Sequence, residues 1–160
     1  MVSLRVLTAG DWVLWREVRL AALSEAPYAF KTTLADWHRG GEERWRARLE
    51  MPGAFHVVAV EDGRAVGVAG GVPGEGGVRE LRSVWVGPGA RGLGVGDRLI
   101  GAVEGWARAS GGTTLTLAVL PGNEAALALY RRHGFTELRF DGVTGERVMV
   151  KALRPAGGGR

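Results

Sequence analysis

The order of apolar and polar positions along the chain predicts strands alternating with helices. Short apolar or alternating runs between turn residues predict seven strands, at 3–8, 55–60, 65–72, 78–86, 113–120, 135–140 and 146–153. Apolar residues at helical spacing predict four helices: one capped by Asp11 and ended by Pro27, and others at 42–50, about 96–110 and 123–132. Asp62-Gly63 predicts a tight hairpin between the second and third strands.

This order of elements predicts a mixed α/β (α+β) domain. A meander of three strands followed by strand–helix crossovers favours a mixed sheet with helices on both faces. The 160 residues suit one domain, and no interior linker or repeat divides them. We therefore expect a single domain over 1–153, followed by a disordered tail at 154–160, where a proline precedes a run of glycines.

Composition and charge narrow the function only slightly. No apolar run approaches the roughly 18 residues of a membrane-spanning helix, which predicts no membrane partner. With no cysteine and only isolated histidines we expect no metal site, and the cytoplasm is the predicted compartment. The net charge of +4 comes from arginine with only two lysines, which suits a phosphorylated ligand or nucleic acid but also follows from a GC-rich genome. The scattered arginines argue against a nucleic-acid-binding module.

The most informative segment is the glycine-rich loop between the fourth strand and the third helix. Gly92, Gly94 and Gly96 carry no side chains that would keep a ligand from the backbone. Free N–H groups at the start of the helix would then form an anion cradle, and Arg91 would add a phosphate donor. The alternative is a flexible turn in a glycine-rich protein. The literal G-x-G-x-x-G at 87–92 follows an antiparallel meander, so it does not predict a dinucleotide site.

Two segments resemble the cofactor motifs of the GNAT superfamily of N-acetyltransferases. Residues 91–96, Arg-Gly-Leu-Gly-Val-Gly, fit the acyl-coenzyme A loop pattern Arg/Gln-x-x-Gly-x-Gly/Ala of that family. Residues 123–135 resemble its second cofactor motif, and the strand at 81–86 with Pro88 fits the approach to the loop. The resemblance implies transfer of an acetyl group from acetyl-coenzyme A to an amine, by direct attack through a tetrahedral intermediate.

The family likeness also implies where acetyl-coenzyme A binds. Its site would lie where the fourth and fifth strands of a mostly antiparallel sheet of about seven strands splay apart. The backbone of the fourth strand would orient the pantetheine arm and polarise the thioester, and the loop would hold the diphosphate. The implied cofactor-binding residues are Val84, Trp85, Val86, Arg91, Gly92, Leu93, Gly94, Val95, Gly96, Asn123 and Tyr130.

Three residues near this site have two interpretations each. Asn123 lies two helical turns before Tyr130, on the same face of the predicted helix. It is interpreted as an N-cap, as a cofactor contact, or as both. Tyr130 is either a catalytic residue or a core residue. In the catalytic interpretation it is the general acid for the departing thiolate, or only its hydrogen-bond donor. Glu80 occupies the family position of a general base, or is a solvated glutamate at a strand end. We interpret His133 as a cation at a helix C-terminus rather than a catalytic group.

The acceptor site is expected in segments outside the two motifs. Tyr28, Phe30 and Trp37 are the candidates for substrate binding, because they lie in an aromatic, proline-broken segment after the first helix; an ordinary packed turn is the alternative. The acceptor would be an amine of a small molecule, a peptide or a protein. The family also implies a homodimer paired through its last strands. A non-catalytic acyl-coenzyme A sensor is the main rival to an enzyme.

Overall fold

The computed structural model describes residues 1–30 and 41–154. Within them lie four α-helices: α1 (Trp12–Glu25), α2 (Glu42–Glu50), α3 (Val95–Ala109) and α4 (Glu124–Arg132). The strands are β1 (Ser3–Val6), β2 (Phe55–Glu61), β3 (Arg64–Pro73), β4 (Val78–Val86), β5 (Thr114–Val119), β6 (Thr136–Phe140) and β7 (Arg147–Ala152). Every predicted strand and helix is present, with ends displaced by two residues at most. Trp37 and nearly all of the predicted tail lie outside the described residues.

The seven strands form one sheet in the order β1-β2-β3-β4-β5-β7-β6. All neighbours are antiparallel except β4 and β5, which run parallel. These two strands pair only at their beginnings, residues 78–80 with 114–116. Beyond that point they diverge, which confirms the predicted mixed sheet splayed between the fourth and fifth strands.

Helices cover both faces of the sheet, as predicted. Strand side chains alternate between the faces, so Val58 packs with α1 and α2 while its neighbours Val57 and Ala59 pack with α3. The residues on the α1 and α2 side form a first hydrophobic core. Trp15 of α1 and Trp45 of α2 belong to it, and both are almost fully buried. The second core contains one apolar stripe of α3 and the buried side of α4. β4 contributes to both cores, whereas the buried residues of β5 belong to the second core.

The hairpin turn has the conformation that its sequence predicts, whereas the predicted side-chain cap of the first helix is absent. Asp62 and Gly63 both have positive φ, 52° and 78°, as the tight β2–β3 turn requires. Asp11 precedes α1 but makes no capping hydrogen bond to it. Its carboxylate instead accepts a 2.8 Å hydrogen bond from the Thr8 N–H, because Asp11 ends a short 3-10 turn that Thr8 caps. Asp11 is therefore at the predicted N-cap position of α1, but its side chain does not cap that helix.

None of the helices in residues 1–30 and 41–154 is both long enough and apolar enough to cross a membrane.

Candidate active site

A bulge in β4 opens the sheet where β4 and β5 part. Arg82 pairs with Gly70 of β3 and Trp85 with Val68, so β4 has one residue more than β3 between these two pairs. Ser83, in the bulge, has a φ of 60°, which is unusual for a residue with a side chain. A bulge turns backbone groups out of the ladder and commonly occurs beside active sites. At this position it lies directly after the paired part of β4 and β5.

A cleft of about 440 Å³ follows the bulge along the end of β4. Its walls come from four regions of the chain: the turn after α1, the end of β4, the glycine-rich loop with the first turn of α3, and α4. It contains nearly all of the residues predicted to bind the cofactor: Val84, Trp85, Val86, Arg91, Gly92, Gly94, Val95, Gly96, Asn123 and Tyr130. Leu93 belongs to the same loop but is not part of the wall; its side chain is 65% exposed.

The glycines of the loop have two different roles. Gly92 and Gly94 have φ values of 80° and 78°, and a Cβ at either position would meet nothing within 4 Å. They are therefore required by the backbone conformation, and the space before them is open. Gly96 has ordinary backbone angles, and a Cβ there would lie 3.5 Å from Leu129 of α4. That distance is an ordinary van der Waals contact, so Gly96 packs between β4 and α4 without a strict need for glycine.

This loop has the properties of an anion cradle. Gly94 immediately precedes α3, and the first intrahelical hydrogen bond runs from the Arg98 N–H to the Gly94 carbonyl at 3.1 Å. The N–H groups of residues 95–97 have no acceptor within the helix, and the helix dipole adds partial positive charge there. An uncrowded, left-handed glycine at such a terminus fits a diphosphate. The residues present are therefore compatible with the phosphorylated cofactor that the sequence predicts.

The Arg91 side chain braces the loop in this conformation. Its Nε donates to the Val86 carbonyl at 2.9 Å, and a terminal nitrogen donates to Glu25 Oε1 at 2.7 Å. The same oxygen accepts a 2.9 Å hydrogen bond from the Trp85 indole. The indole and then Arg91 lower the pKa of Glu25. The sequence analysis missed Glu25, since its partners lie about 60 residues away and no local pattern links them.

Asn123 and Tyr130 lie on one face of α4, as their spacing predicts. The Asn123 side chain accepts a long, 3.4 Å hydrogen bond from the Ala126 N–H, which confirms the N-cap interpretation. Tyr130 is 8% exposed, and its ring meets Phe135 edge-on at 5.9 Å. Burial raises the pKa of Tyr130 well above its ordinary value of 10, so the phenol stays protonated. Tyr130 is thus both a core residue and part of the cleft wall.

His133 has a structural partner that the sequence did not reveal. Its Nε2 lies 2.7 Å from Asp97 Oδ1, which also accepts a 2.7 Å hydrogen bond from Arg132. Arg132 and then His133 lower the pKa of Asp97. Because Asp97 is in the first turn of α3 and His133 caps α4, the contact links the two helices beside the cleft. This arrangement agrees with a structural role for His133.

A second cavity, of about 340 Å³, adjoins the cleft and follows the preceding part of β4. The two share Ala29, Val84, Asn123 and Tyr130 as lining residues. Glu80 lies in the second cavity, at the last paired position of β4 and β5, and accepts a 2.9 Å hydrogen bond from Arg82. Within the described part of the chain, no cluster of three His, Asp or Glu side chains is arranged to hold a metal ion.

The predicted substrate-binding residues are only partly placed. Phe30 lines the second cavity. Tyr28 lies in a 3-10 turn at Pro27–Ala29 beside the cleft, and Trp37 lies outside the described residues. The sequence analysis missed three arginines in the wall of this cavity: Arg19, Arg48 and Arg82. Arg19 could have been found from the sequence, because it lies one helical turn after Trp15 and one turn before Leu23. This spacing puts it on the buried stripe of α1.

Comparisons with known proteins agree with this geometry. The sequence model described as "Acetyltransferase (GNAT) family" matches residues 17–135. The crystal structure of ribosomal-protein-alanine N-acetyltransferase from Brucella melitensis is 28% identical, with a TM-score of 0.75 over 94% of this chain and 99% of that one. The Salmonella typhimurium protein yncA, solved with its cofactor acetyl-CoA, is 20% identical and has a TM-score of 0.77 over 96% and 95% of the two chains.

A curated relative is also similar over part of its length. The IAA acetyltransferase of Azospirillum brasilense is 36% identical over 90 residues, which are 56% of this chain. The chain spans about 59% of the length of that relative.

Proposed function

The chain belongs to the acetyltransferase (GNAT) family, and on this premise we propose that it transfers an acetyl group from acetyl-coenzyme A to an amine. One observation carries the proposal: the cleft at the fork of β4 and β5 ends in an anion cradle and meets a second cavity at Tyr130. A donor and an acceptor can thus reach a common point from two sides.

The donor would bind along the cleft. Acetyl-coenzyme A supplies the acetyl thioester and a diphosphate. The backbone N–H groups at the start of α3, with Gly92 and Gly94 leaving the approach open, would hold the diphosphate. The bulged backbone around Val84 would bond to the pantetheine arm and to the thioester carbonyl. The acetyl-CoA in the fold relative yncA is consistent with this assignment.

The chemistry would be a direct transfer through a tetrahedral intermediate. The acceptor enters as an alkylammonium and must lose two protons in all. Glu80 would accept the first and pass it to solvent, because an alkylammonium with a pKa of about 10 is not nucleophilic. The neutral nitrogen then forms a bond to the acetyl carbon, the carbon–sulfur bond breaks with its electron pair left on sulfur, and the second proton passes from the nitrogen to solvent. Tyr130 would donate a hydrogen bond to the departing sulfur. Its raised pKa makes complete proton transfer to a thiolate unfavourable but keeps the donor protonated throughout the working range of pH.

The acceptor would be an amine of a small molecule or of a protein. Relatives differ in this respect: one is named for alanine of a ribosomal protein and another for IAA.

A homodimer is a further part of the proposal. β6 is an edge strand, and Leu138, Phe140 and Val143 on or beside it are more than half exposed. Light scattering on the purified protein measures that state. The cytoplasmic location stays a prediction.

The test combines binding with turnover. We expect calorimetric titration to give micromolar binding of acetyl-coenzyme A, and an amine panel to release free thiol. Tyr130→Phe should lower kcat about 100-fold while the Kd of acetyl-coenzyme A changes less than about twofold, since the phenol acts on the departing sulfur.

Three results would contradict parts of the proposal. No binding at millimolar acetyl-coenzyme A by a folded protein would exclude the transferase. Binding without thiol release on any amine would favour the sensor. An unchanged kcat in Tyr130→Phe would reduce Tyr130 to a core residue.

A further inference from the structure

A small pocket of about 30 Å³, the inner pocket, adjoins the second cavity and shares part of its wall. Ser83 of the β4 bulge lines both spaces, as do three arginines: Arg19, Arg48 and Arg82. Trp15 of α1, His56 of β2 and Gly70 of β3 line the inner pocket but not the second cavity. The inner pocket therefore connects a helix and two strands to the point where the sheet opens.

Two buried polar atoms belong to residues of this pocket. Trp15 Nε1 and His56 Nδ1 are inaccessible to solvent, and neither has a hydrogen-bond partner in the part of the chain that the structure describes. The two rings are neighbours, with their centroids 4.9 Å apart. Buried polar groups in native proteins are nearly always satisfied by protein or by ordered water, so these two atoms indicate a bound polar group.

The hydrogen bond of His56 to Arg48 determines what its other nitrogen can do. Nε2 lies 3.1 Å from the Arg48 carbonyl oxygen, which can only accept, so Nε2 carries the proton. Burial lowers the pKa of His56 below its ordinary value of 6.5, so the ring is uncharged at neutral pH. Nδ1 therefore presents a lone pair, which requires a hydrogen-bond donor.

The space beside Nδ1 exists because a glycine follows across the sheet. Gly70 pairs with His56 of β2 on one side and with Arg82 of β4 on the other. A Cβ at Gly70 would lie 3.4 Å from His56 Nδ1, so a side chain there would take up the room next to the lone pair. The volume of the pocket exceeds the roughly 10–15 Å³ that a buried water needs.

We propose that an ordered water occupies the inner pocket, accepts a hydrogen bond from Trp15 Nε1 and donates one to His56 Nδ1. The two atoms need a group that both accepts and donates; an ammonium only donates and a carboxylate only accepts. Ser83 supplies a third partner, since its Oγ accepts from Arg19 at 3.2 Å and its own proton can be donated to the water. Three hydrogen bonds are typical of a buried water.

This water stabilises the side of the bulge that faces the second cavity. Trp15 and His56 are positioning residues, because they act on that cavity only through the water and through the shared residues Ser83 and Arg19. The water site is independent of the activity of the protein. Its effect on the acceptor rests on the proposed acetyl transfer, with the acceptor bound in the second cavity.

Nuclear magnetic resonance of the full-length protein tests the water directly. The indole proton of Trp15 is assigned by its loss in Trp15→Phe. It should give cross peaks to water that have opposite signs in the laboratory and rotating frames, as a long-lived bound water does and simple proton exchange does not. No such cross peaks at Trp15 would overturn the inference.

Variants connect the water with the acceptor. Gly70→Ala adds a methyl group with contacts of 3.4 to 3.6 Å, which the surrounding atoms accommodate. It should remove the cross peaks and raise the KM of the acceptor about 3- to 10-fold, with the Kd of acetyl-coenzyme A unchanged. Gly101→Ala adds the same methyl group at an open position of α3 and should behave as wild type.

A pair of substitutions at His56 separates hydrogen bonding from packing. The amide of His56→Gln can donate to the Arg48 carbonyl and accept from the water, so it should keep the water and a KM close to wild type. His56→Leu has neither group and should lose both. Cross peaks that persist in Gly70→Ala, or a wild-type KM in His56→Leu, would overturn the inference. Failure of the wild type to bind acetyl-coenzyme A would instead remove the proposed function, while the cross peaks would still decide whether the water is bound.

Discussion

The cleft and the second cavity adjoin each other along the same bulged strand, but they are built differently. The cleft depends on backbone: the glycines before α3, the free N–H groups of its first turn and the end of β4. The second cavity depends on side chains from α1, α2 and β4, separated by up to 63 residues between Arg19 and Arg82. The cleft is lined mostly by small and apolar groups, with its charged residues at the loop and the helix ends, whereas the second cavity has charged side chains from α1, α2 and β4.

This difference separates a part of the site that needs particular backbone conformations from a part that substitutions can change. A backbone cradle needs glycines at set positions, and it suits a donor that does not change. A wall of side chains can be rebuilt by substitutions in separate elements without disturbing the sheet. We therefore expect donor affinity and acceptor choice to respond to different variants, and the following experiments test that separation.

The largest effect is expected in the cradle. Gly94→Glu should weaken acetyl-coenzyme A binding at least about 100-fold, because a side chain at a φ of 78° is strained and its carboxylate would meet the diphosphate. Calorimetric titration measures the Kd. Gly94→Ala, which keeps the strain without the charge, should lose about tenfold.

A glycine of the same helix provides the control for this variant. Gly101 is exposed, and a Cβ there would meet nothing within 4 Å. Gly101→Glu should bind acetyl-coenzyme A as wild type does. Equal losses in Gly94→Glu and Gly101→Glu would show that added charge anywhere on α3 is sufficient, and the cradle would lose its assigned role.

The same contrast explains what could be predicted from the sequence. The strands and helices followed from local periodicity, the cradle from a glycine motif that is contiguous at 91–96, and the splay from the family resemblance that this motif carries. Asp11 is at the predicted N-cap position, but its carboxylate does not cap α1, because it bonds to Thr8 in a 3-10 turn. Glu25 and the three arginines were missed, because their partners are distant in sequence and meet only after the sheet has formed. Of these residues, only Arg19 could have been found from the sequence, because it is a charged residue on the buried stripe of α1.

A smaller effect is expected where the two regions touch. Ser83→Ala keeps a side chain at the positive φ of the bulge but removes the oxygen that bonds to Arg19. The KM of the acceptor should rise about 3- to 10-fold, with the Kd of acetyl-coenzyme A unchanged. Initial rates of thiol release against acceptor concentration measure this. If the donor Kd changes instead, the bulge belongs mainly to the cleft, and the proposed separation between the two regions is wrong.

The smallest effect is expected at Glu25, through which α1 also supports the cleft. Glu25→Gln weakens the hydrogen bonds from Trp85 and Arg91, and should lower the free energy of unfolding at pH 7 by about 1 kcal/mol or less, since the carboxylate is one third exposed. The folded pKa of Glu25 is below its ordinary 4.5, so its stabilisation is present above that pH and is lost as the pH falls through the folded pKa. Urea unfolding from pH 7 to pH 3 should show wild type and variant converging. Glu17→Gln, on the exposed side of the same helix, should show no such convergence; a parallel pH profile for both variants would mean that Glu25 does not brace the loop.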